Sequence, residues 1–206
     1  MRKVFITTVP EQPAGKLKAY VYHADQIDIK TDTETEYPIF NVLENEHGEE
    51  HELTLIAIKQ DGENFDYNYE ILKTDVSKFE EKYNEKINLV MINRGKEETN
   101  DVYTDLFNKL AKAIPDNCNI FTDITYGTKP GYSIIFAAMT YARRLKFNVD
   151  IDKVVYGKIF WGEDRAKIYD ITQLFYINYL IEDISKMNCK NPKAAADILF
   201  GIEQEG

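Results

Sequence analysis

Apolar positions fall into short runs with two different periods. Residues 3–9, 53–58, 87–92 and 153–156 are β-branched, aromatic or leucine-rich and are bounded by polar turns, so each predicts a strand. The run at 53–58 has the unbroken apolar character of a central strand, and the last run ends at Gly157. Other stretches carry a helical period. Val102, Leu106 and Leu110 recur every four residues, with Tyr103 and Phe107 beside them. Thr99 or Asn100 can cap that helix, and Pro115 follows its end. Asp75 is the expected N-cap of a helix through Tyr83, with Val76, Phe79 and Tyr83 on one face and a turn over 60–69 before it.

Residues 11–52 are harder to read. Segments 18–23 and 37–43 are expected as strands, an antiparallel pair, with acidic loops over 28–36 and 45–52. Near the end, 159–161 and 167–171 flank Gly162-Glu163-Asp164 and predict a hairpin. A helix is expected from Asp170 or Thr172 to about Met187, with Leu174, Ile177, Leu180, Ile181 and Ile184 inward. The tail from Asn188 has short helical potential.

From residue 53 onward strands alternate with helices. That order predicts an α/β fold, Rossmann-like, with a mostly parallel central sheet and helices on both faces, plus a β-hairpin and C-terminal helix. The expected division is a Rossmann-like domain over 1–160 and a hairpin with helix over 161–206, continuous with the core.

One stretch changes character within a few residues. Ile120, Phe121 and Ile124 predict a buried strand. Asp123, Thr125, Tyr126, Thr128 and Lys129 then arrive with Gly127, Pro130 and Gly131 among them. Ile134 to Met139 follow, apolar on every side, which predicts a buried helix and a natural face for a second subunit. This is a strand, a polar elbow and a helix N-terminus. In an open α/β sheet such an elbow stands where ligands bind, and free N–H groups at a helix start favour an anion. Arg143 and Arg144 fall in the last turn of that helix, where cations suit its dipole.

The chain has 206 residues with 35 acidic against 25 basic, a formal net charge of −10. That balance argues against nonspecific binding to duplex DNA or an anionic membrane, but leaves room for a small basic pocket. No apolar run reaches the ~20 residues that a membrane span needs, and the first residues do not form a signal peptide. Cys118 and Cys189 match no metal spacing, so a reducing, cytoplasmic setting is expected. His47 and His51 lie four apart with Gly48 between them and no third ligand, so neither a metal site nor a cofactor is expected. The chain carries no G-x-G-x-x-G, P-loop or G-x-S-x-G motif.

Three strand exits are polar: Thr7-Thr8, Asn93-Arg94-Gly95-Lys96, and Asp123 to Lys129. Parallel strands would place them on one rim. Hydroxyls and amides suit base edges and ribose, cations suit phosphate, and Tyr126 offers a face for a base. The rim is therefore expected to hold a nucleotide-like ligand, though Asn93 to Lys96 also reads as an ordinary solvated turn. Asp123 is read first as a loop anchor that accepts N–H bonds, before any acid–base role.

The elbow resembles the signature of the CARF family, the CRISPR-associated Rossmann-fold sensor domains. Many members carry Asp-x-Thr-His-Gly-x-Arg after a central strand. Here the stretch reads Asp123-Ile-Thr125-Tyr126-Gly127-Thr128-Lys129, with Tyr in place of His and Lys in place of Arg. The resemblance extends over 1–160 in order of elements, and the elbow is its specific part. It implies a cytoplasmic homodimer that binds cyclic tetra- or hexa-adenylate, the second messenger of type III CRISPR antiviral defence, across its two-fold axis. It implies ligand contacts from Thr7, Thr8, Asn93, Arg94, Gly95, Lys96, Asp123, Thr125, Tyr126, Gly127, Thr128 and Lys129. A fused or associated effector is also implied, and residues 160–206 are too short to be one. The alternative is a metal-independent ring nuclease, in which a 2′-hydroxyl attacks the adjacent phosphate and Thr8, Lys96 and Lys129 are candidate stabilisers.

Overall fold

A computed structural model of the chain describes residues 2–24, 27, 29–30, 32–48, 50–160, 165–187 and 189–202. These form two compact units, Met1–Asp170 and Ile171–Gly206. Seven strands and six helices occur among the described residues: β1 (Arg2–Thr8), β2 (Tyr22–Ala24), α1 (Ile39–Glu46), β3 (Glu52–Gln60), α2 (Glu63–Tyr83), β4 (Ile87–Arg94), α3 (Asn100–Ala113), β5 (Cys118–Asp123), α4 (Lys129–Leu145), β6 (Val149–Phe160), β7 (Arg165–Asp170), α5 (Thr172–Lys186) and α6 (Pro192–Phe200).

The strands make one sheet in the order β2-β7-β6-β5-β1-β3-β4. The five strands from β6 to β4 are parallel, and only β7 runs antiparallel to its neighbour β6. The fold is α/β and Rossmann-like, with the mostly parallel sheet that the alternating order predicts. From β1 the chain winds outward through β3 to β4, then returns to the other side of β1 for β5 and β6. Right-handed crossovers in two opposite directions put their helices on opposite faces. Accordingly α3 packs on α4, while α1 and α2 cover β1 and β3. The reversal between β1 and β5 opens a crevice at the strands' carboxyl ends, the site where open sheets of this kind place ligands.

The central strands are buried on both faces, which is why they read as unbroken apolar runs. Leu55, Ile56 and Ala57 of β3 are fully buried, as are Val4, Phe5 and Ile6 of β1. Phe5 stacks on Phe121 of β5 with ring centres 5.0 Å apart. Thr99 caps α3 by accepting the Val102 N–H, and Thr128 caps α4 by accepting the Gly131 N–H, with Pro130 in the first turn.

Several expectations fail for identifiable reasons. Segment 37–43 is mostly helix rather than strand. Pro38 presets the turn, and Ile39, Val42 and Leu43 make one buried face. Of segment 18–23 only Tyr22 and His23 join a strand, and β2 pairs in parallel with β7. The expected pairing with 37–43 does not form; Tyr20 instead makes an isolated antiparallel bridge to Thr35, within the expected loop. Helix α2 starts at Glu63, not Asp75, so the expected turn at 60–69 is largely its first two turns. The polar composition there hid a buried stripe of Phe65, Asn68, Leu72, Val76 and Phe79. Asp75 lies mid-helix and buried, accepting from Thr35 and Lys78.

Helix α4 buries one stripe, Gly131, Ile135, Ala138, Met139 and Ala142, not its whole circumference. Ser133, Ala137, Tyr141 and Leu145 form an outward row at four-residue spacing. The hairpin strands β6 and β7 pair as expected and belong to the first unit; the turn expected around Gly162-Glu163-Asp164 lies outside the described residues. Within the second unit, α5 buries Phe175 and Ile184, whereas Leu174 is 58% and Ile181 47% exposed, contrary to the inward face expected for them. Asn188 lies outside the described residues, and α6 follows.

Candidate functional site

A cavity of about 280 Å³ opens at the crevice between β1 and β5. Thr8 to Gln12, the chain leaving β1, forms one wall. Ile58, Lys59 and Gln60 at the end of β3 and Arg94 at the end of β4 form a second. The elbow from Thr125 to Thr128 and the first turns of α4 close the third, with Phe65 and Leu106 between. Strand register explains the assembly: Thr8 is level with Ile58, and Gln60 with Arg94. Side chains at strand ends thus converge from four strands without any long loop.

The elbow is built around Asp123. Its carboxylate is wholly buried and accepts the Thr7 hydroxyl at 3.1 Å, the Thr125 N–H at 2.8 Å, the Thr125 hydroxyl and the Ile39 N–H at the start of α1. Burial still pushes its pKa up to about 6, against those hydrogen bonds. Thr125 in turn accepts the Gly157 N–H at 2.7 Å. Gly157 has no room for a side chain: a Cβ would meet Pro38 at 2.6 Å and Thr125 Oγ1 at 2.9 Å. Asp123 therefore does what the sequence reading preferred, fixing the turn, and it also bolts that turn to α1 and β1. Gly127 takes φ = 134°, a conformation open to glycine, and so brings the backbone against Thr8 and Tyr132.

Tyr126 is a correction. It is 8% exposed, its hydroxyl donates to the Glu36 carbonyl at 2.9 Å, and its ring meets Tyr37 edge-on at 5.9 Å. It forms part of the cavity wall from within the core rather than presenting an open stacking face, because the aromatic layer of the N-terminal segment covers it. Thr7 is likewise fully buried and committed to Asp123.

Arg94 is the charged wall of the cavity. Only 4% exposed, it donates from Nη1 to Thr128 Oγ1 at 3.0 Å and from Nε to the Gly95 carbonyl at 3.3 Å, and it pairs through Nη2 with Glu98. Its guanidinium also lies 5.5 Å from the centre of the Tyr103 ring. Thr128 Oγ1 thus touches both Arg94 and the capped N-terminus of α4. A second buried cation, Lys59, lines the same cavity and pairs with Asp66.

The remaining predicted residues lie elsewhere. Asn93 donates to Asp61 at 2.6 Å, and Gly95 packs on Val102. Lys96 lines a neighbouring open cleft of about 580 Å³, shared with Glu11, Asp61, Glu63 and Glu98. Lys129 is exposed at the first residue of α4 and borders neither space. Lys59 and Gln60 were missed. Their signal was present, since an apolar central strand ending in Lys-Gln is a fourth polar strand exit. Asn68 was missed too: its amide holds the Pro10 and Gln12 carbonyls at 3.0 and 2.8 Å and so shapes one wall.

Among the described residues no cluster of histidine, cysteine or carboxylate side chains could hold a metal ion. His47 instead contacts Glu85 at 2.9 Å. Among them too, no helix is long and apolar enough to cross a membrane. No protein-family model matches the sequence, and no curated protein matches it either.

Proposed function

We propose that this chain is a cyclic oligoadenylate-binding sensor of the CARF type, a cytoplasmic homodimer that holds one ring across its two-fold axis and controls an effector. One observation carries the reading. A mostly apolar cavity at the β1/β5 crevice has a polar corner where Arg94, Thr128 and the N-terminus of α4 meet. Apolar walls suit a purine, while a buried guanidinium beside a helix N-terminus suits a phosphate oxygen. The elbow that carries the Asp123–Lys129 resemblance forms this corner. The cavity takes one nucleotide of a ring, so a ring needs a second copy of the rim, and the outward row on α4 is the face offered for that pairing.

Glu11 is the one carboxylate among the described residues lining the cavity, and no histidine is among them. Ring cleavage there would depend mainly on in-line positioning, with Glu11 the candidate base among these residues. Incubation with cyclic tetra- and hexa-adenylate in EDTA, with adenosine monophosphate as competitor, tests the reading. An intact ring retained in preference to the monophosphate is expected. Linear products at a turnover rate would make the protein a ring nuclease, and indifference to all three ligands would overturn the assignment.

A further inference from the structure

Two spaces meet at the Arg94 corner. The cavity and the neighbouring cleft share Glu11, Gln60, Phe65 and Thr128 as common walls. Arg94 lines the first and Glu98 the second. Their ion pair therefore stands on the boundary between a mostly apolar chamber and a more polar, largely acidic vestibule.

The two partners differ sharply in freedom. The Arg94 side chain is 4% exposed and is also held by Thr128 and the Gly95 carbonyl. Gln60, with its amide oxygen toward the guanidinium, adds an acceptor 2.7 Å from Nη2. The Glu98 side chain is 49% exposed, on the short segment between β4 and α3. A buried guanidinium cannot leave its place without abandoning several bonds at once. A half-exposed carboxylate can, because water solvates it when it goes.

We infer that Glu98 is an internal gate: its carboxylate occupies the Nη2 position of Arg94 that an incoming anionic group must take. An anion entering the chamber replaces the carboxylate, and Arg94 keeps its charge partner throughout. Glu98 then turns into the cleft that it already lines, where water solvates it and Lys96 offsets the repulsion of Glu11, Asp61 and Glu63. Residues 95–99 carry Glu98 and end in Thr99, the cap of α3. Release of Glu98 thus reaches the start of the helix that packs on α4. Ligand occupancy becomes a change in one surface segment, as a switch requires two states with different ligand affinity.

The gate also sets affinity. A ligand that must first displace an internal competitor binds more weakly by the population of the gated state. Glu98→Gln keeps the shape and removes the competing charge, so it should bind compact anions on the order of tenfold more tightly. Glu97→Gln removes the same charge from the same segment and serves as the control for bulk electrostatics.

This inference rests on the proposed function only in taking the ligand to be anionic. The test uses two probes on the full chain, cyclic tetra-adenylate and inorganic pyrophosphate, with affinities from calorimetry and amide exchange read over residues 95–100. Tighter binding by Glu98→Gln than by either wild type or Glu97→Gln supports the gate. So does exchange in 95–100 that rises with ligand in the wild type but is already fast in unliganded Glu98→Gln. Equal affinities in the three proteins, equal gains in both variants, or exchange unchanged by ligand would overturn it. Pyrophosphate binding without cyclic tetra-adenylate binding would sink the proposed ligand and leave the gate to be judged on pyrophosphate. Binding of neither probe by any of the proteins would overturn both.

Discussion

Asp123 and Arg94 are both buried charges at the same edge of the sheet, and they serve opposite ends. Around Asp123 every donor comes from the protein itself: Thr7, Thr125 and the first N–H of α1. Around Arg94 part of the environment is a cavity, and its carboxylate partner reaches in from a half-exposed segment. The first cluster is closed and builds the elbow; the second is open and can take a ligand. Eight of the twelve residues assigned to ligand binding from the sequence divide along this line; Asn93, Gly95, Lys96 and Lys129 lie on neither side. Thr7, Asp123, Thr125 and Tyr126 are committed to one another or to the core, although Thr125 and Tyr126 also border the cavity; Thr8, Gly127 and Thr128 face the cavity, and Arg94 lines it while held by Thr128 and Glu98.

The sharpest way to break this distinction is Asp123→Ala. It leaves the Thr7 and Thr125 donors and the Ile39 N–H unpaired in the core, so unfolding in urea should show a loss of about 3–4 kcal/mol. A loss under about 1 kcal/mol would mean that the elbow is not held from within.

The pH dependence probes the same residue. Its pKa is raised from 3.8 to about 6, so the folded state keeps a proton that the unfolded chain has released between those values. Stability attributable to Asp123 is therefore present below about pH 4 and is lost as pH rises through 6, by about 3 kcal/mol. Asp123→Asn should remove that slope relative to wild type; parallel curves would contradict the buried-carboxylate account.

Arg94→Ala should act on the other side of the comparison. Loss of a charge-assisted contact predicts affinity for the ring falling by about 2 kcal/mol, or some thirtyfold, in a titration. Tyr126→Phe deletes the bond to the Glu36 carbonyl and the hydroxyl's contact with Tyr22, costing about 1 kcal/mol of stability with ring affinity unchanged. A large affinity loss there would return Tyr126 to the ligand. Smallest of all is Lys129→Ala. Exposed and away from the cavity, it should change ring affinity by less than about 0.5 kcal/mol, since surface charges contribute little.

Where the chain obeys one period and one environment, its sequence was readable. The unbroken apolar runs of β1, β3 and β5 announced a sheet buried on both faces, and the polar elbow before Ile134 announced the start of α4. Residues 11–52 were not readable because tertiary contacts override local preference there. Pro38 turns an apolar β-branched stretch into α1, and the polar start of α2 hides the buried Asn68. The strand exits pointed to the rim correctly, but a sequence cannot tell a hydroxyl that faces a cavity from one that faces a carboxylate. Thr7 and Thr8 are adjacent and alternate across the strand, so one is buried on Asp123 while the other lines the chamber.

The most direct measurement is the stoichiometry and affinity of cyclic tetra- and hexa-adenylate binding to the wild-type protein by titration calorimetry, with its mass in solution determined at the same concentrations. Saturable binding of one ring per two chains, by a species of twice the chain mass, is the predicted result. Absence of heat with both rings, or one ring bound per single chain, would contradict the account.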